Sequence, residues 1–394
     1  MLSDAPNHID MAHHDPYPET PTFTNFKRNY IHALERSPPL NEGELQPLSR
    51  PPRVGTFLGT VKLHGTNASI VYYKGDKSNP TFQARNWVIT EGKDNQGTRA
   101  LLSTAPLHSL VDEILRIHNT STFDSIYIAG EIAGKGVQKG VAITKLERFF
   151  AIFNIRIDGN WVDMRKYKSV ALPKYRIFNI AQYPTFTIAI DFREDTKDVS
   201  DQMEKWTTEV YSECPFGSAF KDPEGKKVSG VGEGIVWTLI ESQDEERPLK
   251  RDMLWNFKTK GEKFSTVNPP KNPKSPNPVA IKSQGAAVLF ADYALTERRL
   301  EQGLEHLLLE QSRNGVPESE QNALDPKLTG AFLKWVANDA IKEENHKMKE
   351  LEANEKDVRK EFSTRAGIWF AKTCRDASND LRLAKDMANK LIVK

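Results

Sequence analysis

Through the first two thirds of the chain, apolar and β-branched residues gather in short runs between turns. In the last third, apolar residues recur every three or four positions. Short runs of this kind mark strands, and the longer period marks an amphipathic helix. Residues 56–61 and 68–73 are apolar and β-branched enough to read as strands joined by a turn at Gly65. Gly75-Asp76 makes the next turn, and residues 82–85 read as the returning strand of a hairpin. Leu107, Leu110, Val111, Ile114 and Leu115 fall at helical spacing within 104–118. Residues 125–131 and 148–157 read as strands around a polar, Gly-rich loop at 134–140. Two more strands follow at 234–240 and 253–260, and a short helical pattern at 26–34 precedes them all. Residues 166–230 resist assignment, apart from an amphipathic pattern over 199–212 and a polar turn over 221–232.

The segment 266–284 carries five prolines and few apolar residues, and reads as a linker. Beyond it Leu300, Leu304, Leu307 and Leu308, then Phe332, Trp335, Val336 and Ala340, keep helical spacing. The pattern therefore predicts an α+β fold: a domain of antiparallel sheets over 21–265, the linker 266–284, and a helical C-terminal domain over 285–394. Residues 1–20 are polar and are expected to form a flexible leader. The charged run 342–360 has few apolar anchors and reads as a solvated helix. Arg298, Arg299, Lys334, Lys342, Lys347 and Lys349 could track a phosphate backbone. Balancing the neighbouring glutamates is the simpler role for most of them.

Composition narrows the function classes. A chain of 394 residues is long enough for two domains. The net charge is only +2, so any nucleic-acid site must come from a local patch. Cys214 and Cys374 make no disulfide framework and no zinc pattern, which fits a reducing compartment, cytoplasm or nucleus. No apolar run has the length of a membrane span, and no signal-peptide pattern is present.

The candidate chemistry is spread along the predicted strands. Lys62 lies at a strand end beside the turn Leu63-His64-Gly65-Thr66-Asn67. A lysine there can act as a nucleophile once its proton is removed. Alone, the pattern describes an exposed lysine before a hairpin equally well. Lys258 and Lys260 alternate on one strand, so they project to the same side. Two lysines among Leu254, Trp255 and Phe257 call for an anionic partner, and phosphate suits lysine as a point charge. Glu131 and Glu233 sit beside glycines, where backbone approaches a ligand closely. Their hard oxygens suit Mg²⁺ bound together with substrate phosphates. Taken one at a time, each of these residues fits a surface ion pair. Together with Arg85 they describe a nucleotide-phosphate site.

The same residues carry a family resemblance. Lys62-Leu63-His64-Gly65-Thr66-Asn67 resembles the nucleotidyl-lysine motif of the ATP-dependent RNA ligases, within the covalent nucleotidyltransferase superfamily. The likeness is to the branch of phage RNA ligase 2 and the RNA-editing ligases. Ala84-Arg85-Asn86, Ala129-Gly130-Glu131-Ile132, Phe150-Ala151-Ile152-Phe153-Asn154-Ile155, Gly232-Glu233-Gly234-Ile235-Val236 and Phe257-Lys258-Thr259-Lys260 resemble the motifs that follow, in the family's order. A sixth motif of the kind carried by an OB-fold is absent. The helical C-terminal domain is similar in pattern and length to the appended domain of the RNA ligase 2 branch.

The resemblance implies a three-step reaction with ATP and Mg²⁺, or Mn²⁺ in its place. Lys62 would take AMP, the AMP would pass to an RNA 5′-phosphate, and a 3′-OH would then seal the ends. It also implies roles. Lys62 would be the nucleophile. His64 would orient the pyrophosphate or stabilise the turn. Asn67 and Arg85 would contact RNA, and Arg85 also a ribose or phosphate. Glu131 would hold the ribose, Phe150 would stack on adenine, and Glu233 would bind the metal. Lys258 and Lys260 would hold the α-phosphate. Unit charges about 6 Å apart repel by roughly 3 kcal/mol at an effective dielectric of about 20, so cations beside Lys62 would favour loss of its proton. The expected partner is RNA with 5′-phosphate and 3′-OH ends, nicked or base-paired. A non-catalytic RNA-binding protein on this fold, a DNA ligase and a GTP-using capping-type enzyme remain alternatives.

Overall fold

The computed structural model describes residues 14–36, 51–243, 249–261, 264, 285–317 and 320–392, with 378–392 as backbone only. The expected linker 266–284 and most of the expected leader lie outside these residues. Two compact units are present, 1–261 and 262–394. The first holds two antiparallel-rich sheets and the second is helical, so the fold is α+β.

The first sheet has the order β10-β9-β1-β8, formed by Val54–Lys62 (β1), Thr185–Asp191 (β8), Gly234–Ser242 (β9) and Asn256–Lys260 (β10). The second has the order β3-β2-β4-β5-β6, formed by Thr66–Tyr73 (β2), Thr81–Ala84 (β3), Ser125–Ala133 (β4), Phe149–Ile157 (β5) and Asn160–Trp161 (β6). The short strand Ile177–Asn179 (β7) adds in parallel to β5. Strands β1 and β2 belong to different sheets, so the Leu63-His64-Gly65 turn is the hinge between the sheets.

Each sheet buries one face against helix. The helix Phe23–Arg36 lays Phe26 and Tyr30 against Phe57 and Phe257 of the first sheet and against Phe192, just past the end of β8. On the second sheet, Ile70, Tyr72, Ile128, Ile132, Phe150 and Ile152 pack under Leu110, Val111 and Ile114 of the helix His108–His118. Large apolar side chains removed from water on these faces supply most of the driving force.

Three expectations change. Residues 14–20 are not a loose leader: Tyr17 is buried, and its hydroxyl accepts from Asn154 Nδ2 at 2.7 Å and Asn256 Nδ2 at 3.2 Å, tying the two sheets together. Within 166–230 lies β8, paired with β1 from Thr60↔Thr185 to Val54↔Asp191. It is an edge strand with only Ile190 buried, so its hydrophobic signal is weak. The charged run 342–360 is not one solvated helix. Helix Thr329–Glu343 ends there, Asn345–Glu350 forms a short helix, and Glu355–Ile392 begins the last one. Met348, Leu351 and Val358 anchor the run in the core, beside Phe332, Val336 and Phe362.

In the helical unit, Arg299 is fully buried and pairs with Asp339, Glu343 and Glu344. Arg298 meets Glu301 and Glu305, and Lys347 meets Glu350. For these three residues, charge balance within the unit is the observed role. No described helix is long and apolar enough to cross a membrane.

Candidate active site

Antiparallel pairing places the candidate residues. In β9, Gly234 stands opposite Lys62 of β1 on one side and Lys260 of β10 on the other. Glu233, one residue before, therefore projects between two lysines that are far apart in sequence. Its Oε2 lies 2.7 Å from Lys62 Nζ and 3.3 Å from His64 Nδ1, and its Oε1 lies 3.5 Å from Lys260 Nζ. Glu233 is only 3% exposed. Burial alone would raise its pKa, but Lys62, Lys260 and His64 outweigh that and hold the carboxyl well below the usual range.

The second carboxylate comes from the other sheet. Asn67 and Glu131 are cross-strand neighbours in β2 and β4. The hinge turn runs so close to β4 that a Cβ on Gly65 would sit 2.2 Å from the Ile132 carbonyl oxygen. That approach lets Gly65 N–H donate to Glu131 Oε1 at 3.1 Å. Burial pushes the Glu131 pKa up to about 7; Lys62 and Arg85 oppose this, while the charge on Glu233 adds to it. Gln138, from the Gly-rich loop, donates to the Gly65 carbonyl at 3.4 Å and ties that loop to the same turn.

The structure therefore brings Lys62, His64, Glu131, Glu233 and Lys260 to one place, with Arg85 in electrostatic reach. Lys258 lies two residues from Lys260 on the same side of β10. Asn67 is buried, and its Oδ1 has no hydrogen-bond partner among the described residues. The nearest charged group to Lys62 Nζ is a carboxylate, rather than the lysines expected to act on it.

Phe150 does not join this group. It pairs with Ile132, lies fully buried in the helix-covered core, and would collide with a Cβ on Gly130. Glu131 projects to the opposite face. Phe153, three residues on, lies on that face, where it packs with Tyr127, Ala129 and Trp161 and meets Tyr17 edge-on at 5.0 Å. Alternation puts Phe150 and Phe153 on opposite faces without saying which one carries the site; the register shift past Phe153 turns Asn154 to the same side, toward Tyr17. Tyr17 and Gln138 were missed as well. Tyr17 lies in a stretch without periodicity, and Gln138 in a loop whose partner is set by tertiary contact.

The described residues contain no group of three or more His, Cys, Asp or Glu arranged to hold a metal ion. The donor set suits a divalent ion held mainly by substrate phosphates and water, with Glu233 or Glu131 as a single carboxylate ligand.

A family model described as RNA ligase matches residues 55–251, half of the 394-residue chain. No curated protein matches. Among solved structures, a variant of Naegleria gruberi RNA ligase with ATP and Mn is 16% identical, over 53% of this chain and 51% of that one, with a TM-score of 0.32. A variant with AMP and Mn is 14% identical over 62% and 55%, with a TM-score of 0.34. The chain spans about half the length of these structures.

Proposed function

The chain belongs to the RNA ligase family, and we propose that it uses ATP to seal RNA 5′-phosphate and 3′-OH ends through a Lys62–AMP intermediate. One observation carries the proposal: the Lys62 amine, at a strand end, faces a buried carboxylate that a second lysine also faces. A lysine kept for structure alone does not need two cations and a histidine around one buried acid.

In the first step Lys62 Nζ, having lost its proton, attacks the α-phosphorus of ATP. A P–N bond forms, the P–O bond to the β-phosphate breaks, and pyrophosphate leaves. Lys62 must first leave Glu233, and binding of nucleotide phosphates gives Lys260 and Lys258 an alternative anion. These two lysines then hold the α-phosphate and offset its developing charge. His64, held by Glu233, faces the departing pyrophosphate. Glu131 accepts a ribose hydroxyl when ionised. Phe153, rather than Phe150, supplies an aromatic face for the adenine. Glu233 or Glu131 would hold a divalent ion, Mg²⁺ or Mn²⁺, together with the phosphates, and the ion would supply charge neutralisation.

In the second step an RNA 5′-phosphate oxygen attacks the same phosphorus and the P–N bond breaks, freeing Lys62. In the third, a 3′-OH attacks the activated 5′-phosphate, releasing AMP and a proton. Asn67 and Arg85 contact the RNA ends. The test is a panel of nicked duplexes with RNA or DNA on each side of the nick, offered with ATP or GTP. Sealing of RNA-containing nicks with ATP is expected. Equal sealing of all-DNA nicks, or a preference for GTP, rejects the assignment.

A further inference from the structure

Arg148 lies just before β5, where the chain passes the Gly-rich loop. A Cβ on Gly134 would sit 2.9 Å from the Arg148 Cα. The guanidinium lies between two loops: a Cβ on Gly97 would come within 2.5 Å of Nη1, and one on Gly136 within 3.2 Å of Nη2. Glycine at both positions clears the space for this side chain.

Among the described residues nothing uses its donors. Arg148 Nε is buried without a hydrogen-bond partner, and no acid pairs with the side chain among the described residues. Four other arginines of this unit stand in ion pairs: Arg53 with Asp191, Arg116 with Glu113, Arg156 with Asp15, and Arg165 with Asp163. An arginine kept for structure at this depth gives its N–H groups to carbonyls or carboxylates. Arg148 is held by shape alone, which leaves its planar fork free for an external anion.

The surroundings point to a strand of RNA. Asn95 Nδ2 donates to Thr66 Oγ1 and to the Asn67 carbonyl, each at 3.3 Å, so the loop carrying Gly97 is stitched to the turn after Lys62. The Oδ1 atoms of Asn67 and Asn95 are both buried, with no hydrogen-bond partner among the described residues. Lys135 and Lys139 are exposed on the facing loop.

We propose that Arg148 binds a backbone phosphate of the RNA strand, in a rim subsite formed with Lys135 and the glycine loops at Gly97 and Gly136. The subsite rests on the RNA ligase reading above and extends it to how the strand is held beside the hinge turn.

The test uses the full chain and a fluorescein-labelled RNA duplex with one 5′-phosphorylated nick, bound without divalent metal. For Arg148→Ala, RNA affinity is expected to fall about tenfold, and the slope of log affinity against log salt to shrink by about one. Arg148→Lys should recover part of both. The melting temperature of Arg148→Ala should hold or rise, because an unpaired, partly buried charge has been removed. Lower thermal stability with unchanged RNA affinity overturns the proposal in favour of a structural arginine. Unchanged RNA affinity with a raised KM for ATP in lysine labelling overturns it in favour of a nucleotide phosphate. Binding is read without ATP, so failure of the ligase chemistry in the unsubstituted protein is seen separately from failure of this subsite.

Discussion

Lys62 Nζ and Glu233 Oε2 lie 2.7 Å apart although 171 residues separate them in sequence. The contact exists because β9 runs between β1 and β10, and it couples the proposed nucleophile to the charge balance of the whole cluster. Removing the acid leaves Lys62, Lys260 and His64 facing one another. Glu233→Ala is therefore expected to cost about 3 kcal/mol of stability in denaturant unfolding. It should also lower lysine labelling by about 100-fold or more. Unfolding unchanged from the wild type would show that the pair is solvated and unimportant.

The same pairing sets an acid limit. Glu233 has its folded pKa lowered, so its contribution is present above the ordinary carboxylate range and is lost as pH falls toward the lowered value. The wild type should lose stability below about pH 4, and Glu233→Gln should lose less over that interval. Parallel curves for the two proteins contradict this.

Glu131 has the opposite sign. Its folded pKa is raised to about 7 from 4.5, so the folded state holds the proton more tightly and stability falls as pH rises through that interval. Relative to the wild type, Glu131→Gln should gain about 1 to 2 kcal/mol between pH 5 and pH 8. It should also lose the rise in labelling centred near pH 7. A pH-independent difference between the two proteins would remove Glu131 from this role.

Phe150 and Phe153 separate by consequence. Phe150→Ala empties a fully buried core position and should cost about 3 to 5 kcal/mol. Phe153→Ala should cost less in stability but raise the KM for ATP about tenfold, through loss of base stacking. The reverse assignment predicts the reverse pattern, read by melting and by labelling at varied ATP.

Much of the fold was legible where elements are buried. The apolar and β-branched runs of β1, β2, β4 and β9 and the helical spacing of Leu110, Val111 and Ile114 survive in the structure because these residues are buried. Lys62, Glu131, Glu233 and Lys260 were legible as a set because each stands in a short motif of the resembled family, in that family's order along the chain. The rest depended on tertiary contact. Edge strand β8 buries only Ile190, so its pattern was too weak to see. Alternation separates Phe150 from Phe153 but does not say which face carries the site, and only the pairing of Phe150 with Ile132 in the core settles it. Tyr17, which joins Asn154 to Asn256, lies in a stretch read as a polar leader.

The central claim is that Lys62 carries the nucleotide. The full chain is incubated with α-labelled ATP and Mg²⁺, denatured, and tested for acid-labile covalent label. The wild type is expected to be labelled and Lys62→Ala to carry none, with both proteins folded. Equal labelling of Lys62→Ala contradicts the account.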